Sequence, residues 1–459
     1  MRKIMPKFTT AALKWLNIIL EERFGHTFTL EQGQSGLKLS LNNVSLGYIL
    51  FPKLEEAFHL SRSDFPCSHW DADKADWVSV LEKPLFAPSV NEISEPLIEE
   101  KNGFFVINYD ILGLTYWMLN RIEEIGRTDL DNHGRFPATA SHAYKHGYLE
   151  RPIVDEWLHI LGQVIQRTWP TLELKQHYFT MKVSHDVDAP SRYGFGSAKS
   201  IVRSMAGDIL KRQDFKSALA APLIRLNSSK RLHPADLFNT FDWIMQQSEK
   251  HNLVSAFYFI CGRTDTSKDA DYEPEHPAIR DLMNRIHMRG HEIGLHPSYN
   301  SFQNPEVIQN EADRLRNIMQ EEGIIQNVLG GRMHYLRWEH PHTLQAWNNA
   351  GMSYDTTLSY ADLPGFRCGT CFEYPAFNPA TQQLLQIRIR PLIAMECTVI
   401  AKRYMGLGYT DVAVAQFEQL KDTCRKVGGC FTLLWHNSHF NSSKDKLFYL
   451  RLISDIKLD

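Results

Sequence analysis

The chain has 459 residues, of which 43% are hydrophobic and 22% charged, with a formal net charge of −3. This length suits two domains, or one barrel with a sizeable companion. The near-balanced charge excludes a whole-chain nucleic-acid signature, and no apolar run approaches the length of a membrane span.

Seven cysteines occur, Cys67, Cys261, Cys368, Cys371, Cys397, Cys424 and Cys430. An odd count with irregular spacing argues against a disulfide framework and for a reducing compartment. Cys368 and Cys371 form a C-x-x-C with no second pair at zinc-finger spacing, so they read as loop thiols.

The chain begins with basic residues (Arg2, Lys3, Lys7) and then an amphipathic helix, Ala11–Leu20, with Thr9 or Thr10 as N-cap. It does not read as a signal peptide, and a cytoplasmic location is expected. Short strands are expected near 26–31, 36–40 and 46–51. A strand running into a buried helix is expected over 104–123, and a helix over 150–168 with Asp155 and Glu156 in its first turn. Residues 1–175 therefore form an N-terminal α+β accessory domain of irregular pattern.

From residue 176 to 459 the pattern becomes an alternation. Strands are expected at 179–184, 254–260, 291–295, 327–331, 352–355, 384–390 and 430–435. Helical periodicity fills 236–252, 277–289, 305–322, 341–350, 411–426 and 443–456. Seven strands alternating mostly with helices predict an α/β fold with a parallel sheet, and seven or eight such strands predict a (β/α) barrel. Residues 189–233 interrupt it as a basic helical insertion, with nine Lys/Arg against Asp208 and Asp214 only. A solvated helical excursion is the plainer reading of the insertion. The sharper one is a lid that attracts an anionic ligand or makes peripheral contact with an anionic lipid membrane.

In such barrels chemistry gathers at the C-terminal ends of the strands. The first strand ends in Ser184-His185-Asp186-Val187-Asp188, and alternation turns Asp186 and Asp188 the same way. Two adjacent carboxylates repel unless a cation or a shared proton intervenes, which suits a metal ligand and a general base. Helix capping is the plainer use of Asp188. The third strand ends in His296, with Asn300 four residues on. Alone, His296 would be a satisfied buried histidine, but beside an Asp pair it becomes a ligand candidate. The fourth runs into Gly330-Gly331-Arg332-Met333-His334-Tyr335, where the glycines allow close backbone approach and Arg332 can grip a carboxylate. The last ends in Trp435-His436, and His436 suits a general acid.

This order of motifs resembles the polysaccharide deacetylase (NodB-homology, carbohydrate esterase family 4-like) family, over about residues 180 to 440. Tyr109–Ile111, Gly134–Phe136 and Gly365–Cys371 further resemble an uncharacterised subgroup with an extra N-terminal domain, associated with surface-polysaccharide biosynthesis. The resemblance implies a distorted seven-stranded (β/α) barrel and a metal-dependent carbohydrate N-deacetylase. Asp186 would be the base and Asp188 a metal ligand, with the reverse assignment as the alternative. Arg332 would orient the base, and His436 would be the general acid. His296 matches the first metal histidine of the family's His-x-x-x-His, while Asn300 stands where the second belongs, so Asn300 or His334 completes the site. The implied cofactor is a divalent metal, zinc. Tyr335, Arg367 and Trp435 are the substrate-binding candidates. The expected substrate is an acetylated sugar, a nucleotide sugar or a lipid-linked glycan. A catalytically inactive glycan-binding or scaffold protein, or an amidohydrolase acting on a non-sugar amide, are the rival readings.

Overall fold

The structure, a computed structural model, describes residues 8–454. The basic residues Arg2, Lys3 and Lys7 lie outside the described residues.

The first helix runs Thr10–Phe24 because Thr9 caps it, its side chain accepting from the Ala12 N–H, and because Gly25 ends it in a left-handed conformation. Its buried face holds Trp15, Leu16, Ile19 and Leu20. Strands β1 (Phe28–Gly33), β2 (Gly36–Leu41), β3 (Ile49–Phe51), β4 (Cys67–Trp70), β5 (Leu85–Pro88), β6 (Ile98–Lys101) and β7 (Phe104–Ile107) follow. They form a five-stranded sheet in the order β1-β2-β3-β7-β6 and a separate β4-β5 pair. Helix Ile153–Thr168 packs on β3, β5 and β7, and helix Ile111–Leu119 packs on that helix, both at the expected positions. Asp155 and Glu156 do not merely favour a helix terminus: both are buried, bound by Arg23 and Arg151 respectively.

The remainder is built on β8 (Thr180–Val187), β9 (Ser255–Ile260), β10 (Glu292–His296), β11 (Gly330–Gly331), β12 (Tyr354–Asp355), β13 (Tyr374–Asn378), β14 (Gln383–Ile389), β15 (Ala394–Met395) and β16 (Cys430–Leu434). The nine strands pair in the order β13-β14-β12-β11-β10-β9-β8-β16-β15. All pairings are parallel except β13 with β14. The expected α/β architecture is found; in place of a distorted seven-stranded barrel the strands form a nine-stranded ladder, with no closing pair among the described residues. Its ends nevertheless lie close in sequence. Arg390 N–H still bonds to Asp355 O on the β12 side, and Ile393 N–H bonds to Thr432 O on the β16 side. Between them Pro391 has no N–H to donate and Leu392 N–H bonds to Leu358 O, so neither extends the ladder.

One hydrophobic core runs from Phe8 to Ile453 through both regions. Trp15 Nε1 donates to Pro375 O (2.8 Å), and Arg388 grips Glu22 at 2.9 Å. The N-terminal region thus shares the interior of the barrel-like part. The C-x-x-C thiols Cys368 and Cys371 are buried and free. Among the described residues no helix is long and apolar enough to cross a membrane.

Candidate metal centre

On β8 the pleat sends alternate side chains to one face. Arg332 reads that face: Nη1 donates to Asp186 Oδ1 (2.6 Å) and Nη2 to Ser184 Oγ (2.8 Å), while Nε holds Thr356 O (3.1 Å). The guanidinium is buried and fixes the Asp186 carboxylate, leaving Oδ2 3.6 Å from His296 Nε2.

Arg332 reaches this place because β11 lies tightly between its neighbours. A Cβ on Gly331 would stand 1.9 Å from the Leu295 carbonyl oxygen, and one on Gly330 2.3 Å from the Tyr354 ring. After β11 the chain turns sharply, with Tyr335 and Leu336 at φ 61° and 56°. Two successive non-glycine residues in the left-handed region are strained, a condition that persists where surrounding structure enforces it. Here Arg135 pins the turn by donating to Tyr335 O (2.8 Å).

The turn brings His334 beside His296. His296 Nδ1 lies 2.6 Å from Arg332 O. A carbonyl only accepts, so Nδ1 carries the proton and Nε2 presents its lone pair. His334 Nδ1 lies 2.9 Å from Asp269 Oδ1, which fixes the same tautomer. Both lone pairs face Asp188. Its Oδ1 is 3.3 Å from His296 Nε2 and 3.7 Å from His334 Nε2, and one ligand atom from each of the three lies within 4.8 Å of the others. Ligands on one tetrahedral zinc at its usual bond lengths stand about 3.3–3.6 Å apart. Asp188 Oδ1 is moreover a buried acceptor without a hydrogen-bond partner. Burial alone would raise the Asp188 pKa, but positive charge at this spot, carried by His334, His296 and His436 when they are protonated, outweighs it and holds the carboxylate well below its ordinary range, so the site favours a cation beside Asp188. The donor set, its spacing and the orphaned oxygen all fit a divalent cation.

His436 stands across the site, its Nε2 3.7 Å from Asp188 Oδ2 and its Nδ1 2.5 Å from Glu396 Oε1. Burial would lower the His436 pKa, yet the Glu396 carboxylate raises it well above the ordinary value. Glu396 Oε1 also receives the His436 N–H (3.0 Å) and faces His439 Nδ1 (2.8 Å). Glu396, Cys397, His436 and His439 form a second cluster with ligand atoms within 4.8 Å. Because one carboxylate oxygen already serves both imidazoles, we read this cluster as a hydrogen-bonding hub that orients His436.

Asp186, Asp188, His296, His334, Tyr335 and His436 line one recess of about 120 Å³, with Arg135, Arg403 and Tyr404 also on its wall. A larger cavity of about 550 Å³ lies by the N-terminal ends of β8 and β16, lined by Thr180 and Cys430, and holds none of these residues.

Other sequence candidates fall elsewhere. Asn300 is on an outer turn, its N–H and Nδ2 on Thr264 and its Oδ1 accepting from Arg337, so His334 and not Asn300 stands with Asp188 and His296. Arg367 is buried in a fork-to-fork pair with Glu124 (2.6 and 3.0 Å) and also holds Ser359 O. It braces the interior and does not meet the recess. Trp435 is fully buried and stacks on Phe440, so it too is core. Sequence reasoning missed Asp269, Glu396, His439 and Arg135. Of these only Arg135 carried a signal, as part of Gly134–Phe136.

Residues 4–170 match a family described as a family of unknown function, DUF7033. No curated protein matches the chain. A "putative polysaccharide deacetylase" from Mycobacterium smegmatis is similar at 16% identity and TM-score 0.40, over 61% of this chain and 84% of that one. A "probable Polysaccharide deacetylase" from Pseudomonas aeruginosa PAO1 (11%, TM-score 0.36, 60% and 84%) and Puue allantoinase (12%, TM-score 0.35, 60% and 83%) are similar at the same level. Likeness this distant leaves the chemistry to the side chains.

Proposed function

We propose that this protein is a metal-dependent hydrolase that removes an N-acetyl group from a sugar or glycan precursor. The observation that carries this reading is the set Asp188, His296 and His334, three ligand candidates facing an open recess. Three protein ligands with a free position is the catalytic pattern, whereas structural zinc is closed by four. When bound there, a divalent ion such as zinc supplies Lewis-acid polarisation of the acyl carbonyl and acidifies water.

The residues then divide the proton work. Asp186, aimed by Arg332, takes the proton of the attacking water. The water oxygen joins the acyl carbon and the C–N bond breaks. His436, its Nδ1 held by Glu396, delivers a proton from Nε2 to the departing amine, so that acetate and a free amine leave. A main-chain N–H near Tyr335 faces the carbonyl oxygen as its negative charge grows. The recess of about 120 Å³ suits a small acyl group, with the rest of the substrate at the mouth. An acetylated sugar, a nucleotide sugar or a lipid-linked glycan in the cytoplasm would meet that description. The non-catalytic reading leans on Asn300, and with His334 beside Asp188 and His296 it loses that support.

The test is elemental analysis of the purified protein beside the double variant Asp188→Ala, His296→Ala. Near-stoichiometric metal, lost in the variant and accompanied by acetate release from an acetylated sugar, is the expected result. A wild-type protein that holds no metal even after added zinc overturns the reading.

A further inference from the structure

The insertion after Asp188 forms two helices, Ala198–Gly207 and Phe215–Asn227, joined by the π-helical turn Asp208–Arg212. The second helix is apolar on two sides. Ala218, Ala221 and Ile224 face inward, the last two in a small cluster with Tyr193. Phe215, Leu219, Leu223 and Leu226 follow a spacing of four, four and three, which places them along the opposite stripe. That stripe is uncovered. Its four side chains are between 55% and 82% exposed, and Val202 on the first helix and Leu210 in the turn are exposed as well. Isolated exposed leucines are ordinary, but a contiguous group marks an interaction surface.

The charges beside the stripe indicate what covers it. Lys199, Arg203, Lys216 and Lys230 are exposed, and none forms an ion pair among the described residues. The two acids of the segment are spent locally: Asp208 is buried against Arg192 and Tyr193, and Asp214 caps the second helix. An uncovered apolar stripe flanked by unpaired cations, with no free acid, complements an anionic lipid interface. There apolar side chains enter the headgroup–acyl boundary while lysine and arginine meet phosphates.

We propose that these two helices dock the protein on an anionic bilayer surface. The patch is tied to the rim on which the candidate metal centre opens. The insertion that carries it begins at Ala189, directly after Asp188, and Asn437 Nδ2, beside His436, holds both Ala189 O and Phe238 O at 2.9 Å. The inference does not depend on the proposed hydrolysis, and its test does not use activity.

The experiment is co-sedimentation of the full chain with phosphatidylcholine vesicles, with and without phosphatidylglycerol, at low and raised salt. Binding to the anionic vesicles is expected, weakened by salt. It should be about tenfold weaker or more on neutral vesicles, in a Leu219→Ser, Leu226→Ser variant, and in a Lys199→Glu, Lys216→Glu variant. All four side chains are exposed, so both variants should keep the wild-type near-ultraviolet circular dichroism. No binding of wild type to anionic vesicles, or equal binding to neutral ones, overturns the proposal without any variant. So does a concentration-dependent dimer that Leu219→Ser, Leu226→Ser dissolves while vesicles leave wild type in the supernatant, which would assign the stripe to a second copy.

Discussion

Asp269 shows how much of the site is set by a residue that never faces the recess. Its Oδ1 accepts from His334 Nδ1 and from the Tyr299 N–H, and its Oδ2 from the Thr264 and Asp265 N–H groups. An amide at this position could not accept on both arms. Asp269→Asn should therefore release the His334 tautomer and weaken zinc binding by about 10–100-fold, measured by chelator competition. Asn300→Ala, in the same assay, should leave affinity unchanged; an equal loss there would return Asn300 to the ligand set. Five of the site residues were legible in the sequence, because Asp186, Asp188, His296, Arg332 and His436 sit at strand ends where alternation gives them a direction. His334 was legible only as an alternative, since its orientation comes from two left-handed residues that no periodicity announces. Asp269 and Glu396 were not legible. The first meets His334 across 65 positions from an irregular loop, and the second follows a two-residue strand.

At the scale of elements, the centre depends on how closely three short strands approach. β11 is two glycines long and meets both neighbours through backbone, with no space for a Cβ. Gly331→Ala should destabilise the fold by about 3 kcal/mol or more, above the usual cost of overpacking, because the clashing atom is a carbonyl oxygen that cannot rotate away. Urea unfolding would check this, and a loss under about 1 kcal/mol, small for overpacking, would show that β10 yields. Every expected strand from residue 179 onward is found, within a few residues of its boundary, because buried parallel strands read as short β-rich runs between helical stretches. The extra strands were not legible. β13 is an antiparallel edge at the C-x-x-C loop, and β15 is too brief to carry a pattern. The open ladder was equally hidden, since it turns on a short irregular stretch at Pro391 and Leu392 that carries no periodic signal.

Across the whole molecule, the continuous core means that both regions should respond to acid together, and His340 is placed to report it. It is 5% exposed, stacks on Trp338 at 5.1 Å, and has no hydrogen-bond partner on either ring nitrogen. Burial pushes its pKa down to about 3; Glu124 opposes that shift, and Arg121 and His342 add to it. The unfolded chain therefore takes up a proton near pH 6.5 that the folded chain refuses until about pH 3. Stability from this group is whole above the upper value and drains as pH falls through the window. By pH 5 the loss is about 2 kcal/mol, at 1.36 kcal/mol per pH unit below the ordinary histidine pKa. His340→Phe keeps the stacked ring and removes the titration, and an apolar ring in place of an unpartnered polar one is close to neutral on its own. Urea unfolding of the full chain at pH 8 and pH 5 should then show the variant losing about 2 kcal/mol less than wild type between the two. An equal loss in both proteins would mean that the acid response arises elsewhere. His142, held near a pKa of 3 by burial and the neighbouring His146, would be the next imidazole to replace.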